Sequence, residues 1–127
     1  MKKGTHMVEY IFDNDRPIYM QLVEKIRIEI VSGKLQSGER LPSVRELALI
    51  AKVNPNTMQK ALAELETQGL VYTERTNGKF VTKDQEKIEM LQKELAKQKV
   101  EHFLEDMKHI GIPYAQAITY LQELGGK

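Results

Sequence analysis

Two helix starts stand close together near the middle of this chain, each punctuated so fully that few folds accommodate both. Ser43-Val44-Arg45-Glu46 matches a capping box, in which a serine hydroxyl accepts from the amide three residues on and the glutamate reaches back to the serine amide. The helix it opens is short, with Val44, Leu47, Ala48 and Ala51 as its inward face. Lys52-Val53-Asn54-Pro55 follows. Asparagine is a good N-cap, and proline at the first helical position loses nothing, because that N–H has no partner inside the helix. The second helix carries Met58, Ala61, Leu62 and Leu65 on one face and stops at Gly69. Two capped helices joined by about four residues make a helix-turn-helix candidate.

Helices this short need other elements to cover them, and the flanking sequence supplies these. Pro17 to Ser32 places Tyr19, Leu22, Val23, Ile26, Ile30 and Val31 at three- and four-residue spacings, one face of a helix. Asp15 is its expected cap and Gly33 its left-handed end. Lys34 to Arg40 reads as a polar connector. After Gly69 the period changes: Leu70–Arg75 and Lys79–Thr82 are β-rich, with the hairpin signal Asn77-Gly78 between them. Three helices followed by a hairpin is the order of a winged helix-turn-helix, expected over residues 7–84.

From Gln85 the chain becomes a long polar helix with a thin apolar stripe: Ile88, Leu91, Leu95, Val100, Phe103, Leu104, Met107 and Ile110. Gly111 ends it, Pro113 opens another, and Ala117, Ile118, Leu121 and Leu124 share one side of that last helix. Two such helices cannot bury their own apolar faces. Residues 85–127 are therefore expected to be a two-helix dimerisation region. The fold class is mainly α with a small β-hairpin.

Composition removes whole classes of function. The 127 residues include no cysteine, which excludes disulfides, Cys-ligated metal and thiol catalysis. The longest apolar run, Leu47 to Ala51, is far short of the roughly 20 residues that span a bilayer. No apolar stretch follows the N-terminal lysines, so the expectation is a soluble, cytoplasmic protein without membrane contact. Met1 to His6 reads as an expression scar, with Met7 as the native start. No phosphate-binding glycine loop or recognisable carboxylate pair appears, so an enzyme is not expected. The net charge of +1 does not mark a nucleic-acid binder, but from Arg40 to Lys60 four basic residues (Arg40, Arg45, Lys52, Lys60) face one acid, Glu46.

An ordered set of residues carries a family resemblance. It begins with Pro17-Ile18-Tyr19 and Gln21-Leu22, then Gly33, Leu35, Gly38, Leu41-Pro42-Ser43, Arg45 and Leu47-Ala48. It continues through Val53-Asn54-Pro55-Asn56-Thr57, Lys60-Ala61-Leu62, Leu65 and Gly69 to Gly78 and Phe80-Val81. Over residues 16–83 the chain resembles the DNA-binding domain of the GntR family of bacterial transcription regulators. The family's wing is often Arg-Gly-x-Gly-Thr-Phe-Val, whereas this chain has Arg75-Thr76-Asn77-Gly78-Lys79-Phe80-Val81, and Gln59 stands where some relatives have a basic residue. Residues 85–127 are too few for the large effector or aminotransferase-like domain usual in the family. They are similar to the short tail of YtrA-type members, where it serves dimerisation. The resemblance implies a regulator, with repression the family-level expectation.

DNA recognition needs donors aimed at phosphates and a few side chains that reach base edges. Arg45 matches the family's arginine and is expected on the backbone or on guanine, whose two acceptors fit an arginine fork. Asn54-Pro55-Asn56-Thr57 is expected to enter the major groove, its free N–H groups and positive helix end suiting a phosphate. Gln59 and Lys60 continue that exposed side. Gly78 and Lys79 of the wing are expected at the DNA as well, Lys79 over the minor groove or its phosphates. Ser43 and Asn54 are caps before they are contacts.

The expected partners are a double-stranded DNA operator with an inverted repeat, and a second copy of the chain. The latter would dock through Ile88, Leu91, Leu95, Val100, Phe103, Met107, Ile110, Ile118 and Leu121. A small-molecule effector is left open. The alternative is a winged-helix module that binds protein without specific DNA binding. His102, Asp106 and His109 share a helical face at ligand spacing, but solvated side chains are expected there, with no metal or other cofactor. Tyr114 and Tyr120 are expected to pack in the core, with lining a ligand pocket between tail and DNA-binding domain as the alternative.

Overall fold

The structure is a computed structural model and describes residues 11–126. The segment Met1 to His6, read above as a scar, lies outside the described residues. The chain forms two compact units, one ending at Gln92 and the other beginning at Lys93. The first contains α1 (Ile18–Ser32), α2 (Val44–Ala51), α3 (Pro55–Thr67), β1 (Val71–Glu74), β2 (Gly78–Val81) and the opening turns of α4 (Gln85–His109).

In this unit α3 packs against α1, α2 and β1. Leu22 and Ile26 of α1, Leu47 of α2 and Met58, Leu62 and Leu65 of α3 are essentially inaccessible to solvent. Burying each such side chain contributes about 1.5–3 kcal/mol, which makes α3 the centre of the core. Asp15 does not cap α1. Pro17 precedes the helix without a side-chain bond, and buried Gln21 secures the entry instead. Its carbonyl accepts from the Asp13 amide (2.7 Å), and its NH2 donates to the carbonyls of Asp13 and Arg16 (both 2.9 Å).

The end of the segment read as a polar connector bridges to the two-stranded sheet. Leu35 is fully buried. Arg40 bridges Phe80, the Leu41 amide donates to the Lys79 carbonyl (2.8 Å) and the Val81 amide to the Glu39 carbonyl (2.9 Å). A third extended segment thus flanks β2. In the hairpin, Val71 pairs with Val81, Tyr72 with Phe80, Thr73 with Lys79 and Glu74 with Gly78. Gly78 therefore belongs to the strand, and the loop is Arg75-Thr76-Asn77. Only Gly78 there has a positive φ (+103°), as a three-residue loop closed by glycine requires.

The unit does not end at Asp84. Ile88 and Leu91 of α4 are buried, and the Gln92 side chain donates to the Val31 carbonyl (3.3 Å). Ile88 and Leu91, expected on a dimer interface, are thus core residues of the chain itself.

The second unit holds the rest of α4 and α5 (Tyr114–Gly125). Gly111 (φ +83°) ends α4 with a Schellman pair, Gly111 N–H to Lys108 O and Ile112 N–H to Met107 O. Within it Ala117 is buried, while Val100, Ile110, Leu121 and Leu124 are exposed. Tyr114 and Tyr120 are exposed as well, against the expectation of core packing. Among the described residues no three His, Asp or Glu side chains lie close enough to hold a metal ion, His102, Asp106 and His109 included. No described helix is long and apolar enough to cross a membrane.

Candidate nucleic-acid interface

The two helix starts have the geometry that their sequences predict. Ser43 Oγ accepts from the Glu46 amide (3.1 Å), and Glu46 Oε1 accepts from the Ser43 amide (2.9 Å). The cap engages the Ser43 hydroxyl and leaves Arg45, one residue inside the helix, exposed to solvent. Arg45 forms no ion pair or side-chain hydrogen bond among the described residues. Lys52 ends α2 in the left-handed conformation (φ 59°). The Lys52 N–H bonds Leu49 O and the Val53 N–H bonds Ala48 O. This tight reversal sets the start of α3.

At that start the expectation of free N–H groups fails. Pro55 has none, the Asn56 amide donates to the Asn54 side chain (2.7 Å) and the Thr57 amide to the Asn54 carbonyl (3.0 Å). The first turn is satisfied internally, so it has no amides to give a phosphate. What it offers is side chains. Asn56, Gln59 and Lys60 are exposed and Thr57 is half-buried, opposite the face formed by Met58, Ala61, Leu62 and Leu65. Three- and four-residue steps align Asn56 with Gln59 and Lys60. The Lys60 amine lies 4.2 Å from the centre of the Tyr19 ring of α1, a cation–π contact that fixes where this charge stands.

On the wing the structure departs from expectation at Lys79. Its amine donates to Thr73 Oγ1 (2.9 Å) and pairs with Glu66 of α3 at 3.4 Å, while Thr73 Oγ1 donates to the same carboxylate (2.6 Å). Lys79 thus ties the wing to the end of α3 rather than reaching outward. The Thr73 hydroxyl, and secondarily the Lys79 charge, hold the Glu66 carboxyl below its ordinary range, against an opposing effect of burial. Gly78 is half-buried beside Arg40, a residue that the local reading placed in a connector. Its membership in the basic run was visible; its pairing with Phe80 was not.

Three packed helices, with a capped third helix showing a polar face and a hairpin beside it, define a winged helix-turn-helix, a class of DNA-binding protein. Residues 18–81 match the family described as bacterial regulatory proteins, gntR family. The chain is 31% identical to the HTH-type transcriptional repressor YtrA of Bacillus subtilis, over 87% of this chain and 90% of that protein. A solved GntR family transcriptional regulator from Listeria monocytogenes superposes with a TM-score of 0.80 at 43% identity, covering 89% of this chain and 99% of the other. AraR(DBD), solved in complex with operator ORX1, superposes at 0.55 with 32% identity, covering 61% of this chain and 99% of that one. The chain belongs to the GntR family, in its YtrA-type branch. It is a DNA-binding transcriptional regulator and not an enzyme.

Proposed function

We propose that the protein is a cytoplasmic repressor that binds an inverted-repeat operator as a homodimer. The observation that carries this reading is the outward face of α3, where Asn56 and Gln59 stand exposed next to a helix that presents the unpaired Arg45. Those side chains, with Lys60, are of the size and chemistry that read base edges in a major groove, while Arg45 suits guanine or phosphate. The names of the relatives support it: YtrA is described as a repressor, and AraR(DBD) was solved on an operator. Dimerisation is assigned to the second unit, where Val100, Ile110 and Leu121 are exposed, as are Tyr114, Tyr120 and Leu124. An effector pocket forms no part of this reading.

A two-fold dimer sets its recognition helices in successive major grooves, so half-sites should be centred about 10 base pairs apart or a multiple of that. Lengthening the spacer by half a turn, about five base pairs, moves one half-site to the opposite face. Footprinting on a duplex selected by the protein, with the spacer varied, checks this. Tight protection should vanish at the half-turn spacing and return at the full turn. Equal protection at every spacing would remove the symmetric dimer from the reading.

A further inference from the structure

The wing has two faces with different chemistry. Thr73 and Lys79, paired across the strands, share a face with the paired Val71 and Val81 and turn toward Glu66 of α3. Tyr72 and Phe80 stack on the other face with ring centres 5.5 Å apart, and Arg40 joins that row through its bridge to Phe80. Directly paired residues on antiparallel strands point the same way. The Arg40 side chain therefore runs along the face opposite to Lys79, and it ends at the wing's turn. A Cβ on Gly78 would lie 3.3 Å from Arg40 Nε and 3.4 Å from Nη2. Gly78 thus has two functions: its positive φ closes the loop, and its bare Cα leaves the space in which the guanidinium lies.

The nearby acids are engaged elsewhere. Glu39 accepts from the Gln36 amide, Glu46 from the Ser43 amide and Glu74 from the Asn77 side chain. Each is held in its own turn or cap. Arg40 is exposed and has no ion pair or side-chain hydrogen bond among the described residues. A guanidinium laid against glycine, with its donors uncompensated, is preorganised for an anion.

We propose that Arg40 is the cation by which the wing grips a backbone phosphate of DNA, with Gly78 as the residue that seats it. Lys79 is withheld from that contact by Glu66 and Thr73. The inference rests on the reading of the chain as a DNA-binding regulator and assigns the wing's charge within it.

The test uses the full chain and a duplex enriched from a random-sequence pool by the wild-type protein. Affinity is measured across a salt series for wild type, Arg40→Gln, Arg40→Lys and Lys79→Met, with melting temperatures beside them. Arg40→Gln should weaken binding about tenfold per protomer, the scale of a hydrogen bond to a charged group. It should also lower the slope of log affinity against log salt by about 0.9 per protomer, one phosphate's worth of released counterion. Its melting temperature should match wild type. Arg40→Lys should restore the slope, because a phosphate accepts a point charge. Lys79→Met should leave the slope as it is.

A wild-type slope in Arg40→Gln overturns the proposal, and so does a slope that falls with Lys79→Met instead. If Arg40→Lys keeps its slope but selects a different base at one position, Arg40 reads a base edge and the phosphate assignment fails. If wild type enriches no duplex at all, the DNA-binding reading itself has failed, which is a separate result.

Discussion

At the scale of single residues, Glu66 ties the wing to α3. Its carboxylate takes the Thr73 hydroxyl and the Lys79 amine together, and its pKa is depressed in the folded chain. A depressed carboxylate contributes stability that is complete above the unfolded value of about 4.3 and is lost as pH falls through the folded one. Glu66→Gln should remove that part of the acid sensitivity. Melting curves from pH 7 down to pH 3 should converge for mutant and wild type at the acid end, with wild type the more stable at neutral pH. Parallel curves would mean that the carboxylate contributes nothing to holding the wing. The inward turn of Lys79 was legible in principle, because it stands two residues from Val81 and a strand alternates faces with period two. Knowing only that a lysine lies on a wing hides this. Glu66 adds a partner at long range that no local pattern announces.

At the scale of elements, α2 and α3 were readable because their ends are local chemistry. Ser43, Glu46, Asn54 and Pro55 act on amides within three residues of themselves, so sequence and structure coincide there. The Glu39–Leu41 segment was not readable, because its strand character comes from β2, some 40 residues further along. Nothing in its own composition marks it as extended. Between α2 and α3, Lys52 holds a left-handed backbone (φ 59°) that costs an L-residue about 1–2 kcal/mol. Glycine relieves that strain but loses about 0.5–1 kcal/mol more entropy on folding. Lys52→Gly should therefore recover up to about 1 kcal/mol of backbone strain, less what the contact of the Lys52 side chain contributes, read as a rise in the urea midpoint at constant slope. A fall in the midpoint would show that the side chain of Lys52 holds more than its backbone costs.

At the scale of the whole molecule, α4 carries one apolar stripe that is buried at its start and exposed further on. Ile88 and Leu91 are buried within the first unit, whereas Val100 and Ile110 are exposed in the second. The sequence shows the stripe but cannot divide it, because core packing and subunit contact use the same helical period. Cutting the chain after Asp84 or after Gln92 separates the two parts of the stripe. Loss of Ile88 and Leu91 should cost the shorter fragment about 3 kcal/mol or more relative to the longer one. Denaturant titration of both fragments measures the difference. The fragment ending at Gln92 should sediment as a folded monomer if the second unit supplies the dimer contact, and equal stability of the two fragments would place the boundary back at Asp84.

The closed first turn of α3 also bears on how such a regulator diversifies. Its amides are satisfied by Asn54 and by the absence of an N–H on Pro55, so the helix stands without help from any ligand. Asn56 and Gln59 are exposed, and neither side chain has a hydrogen-bond partner among the described residues. Substitutions at such surface positions change stability by no more than about 0.5 kcal/mol. If these are the residues that read DNA, as proposed, the outward positions can drift among residue types while the scaffold stays folded, and a lineage can acquire a new target without first rebuilding the protein that reads it.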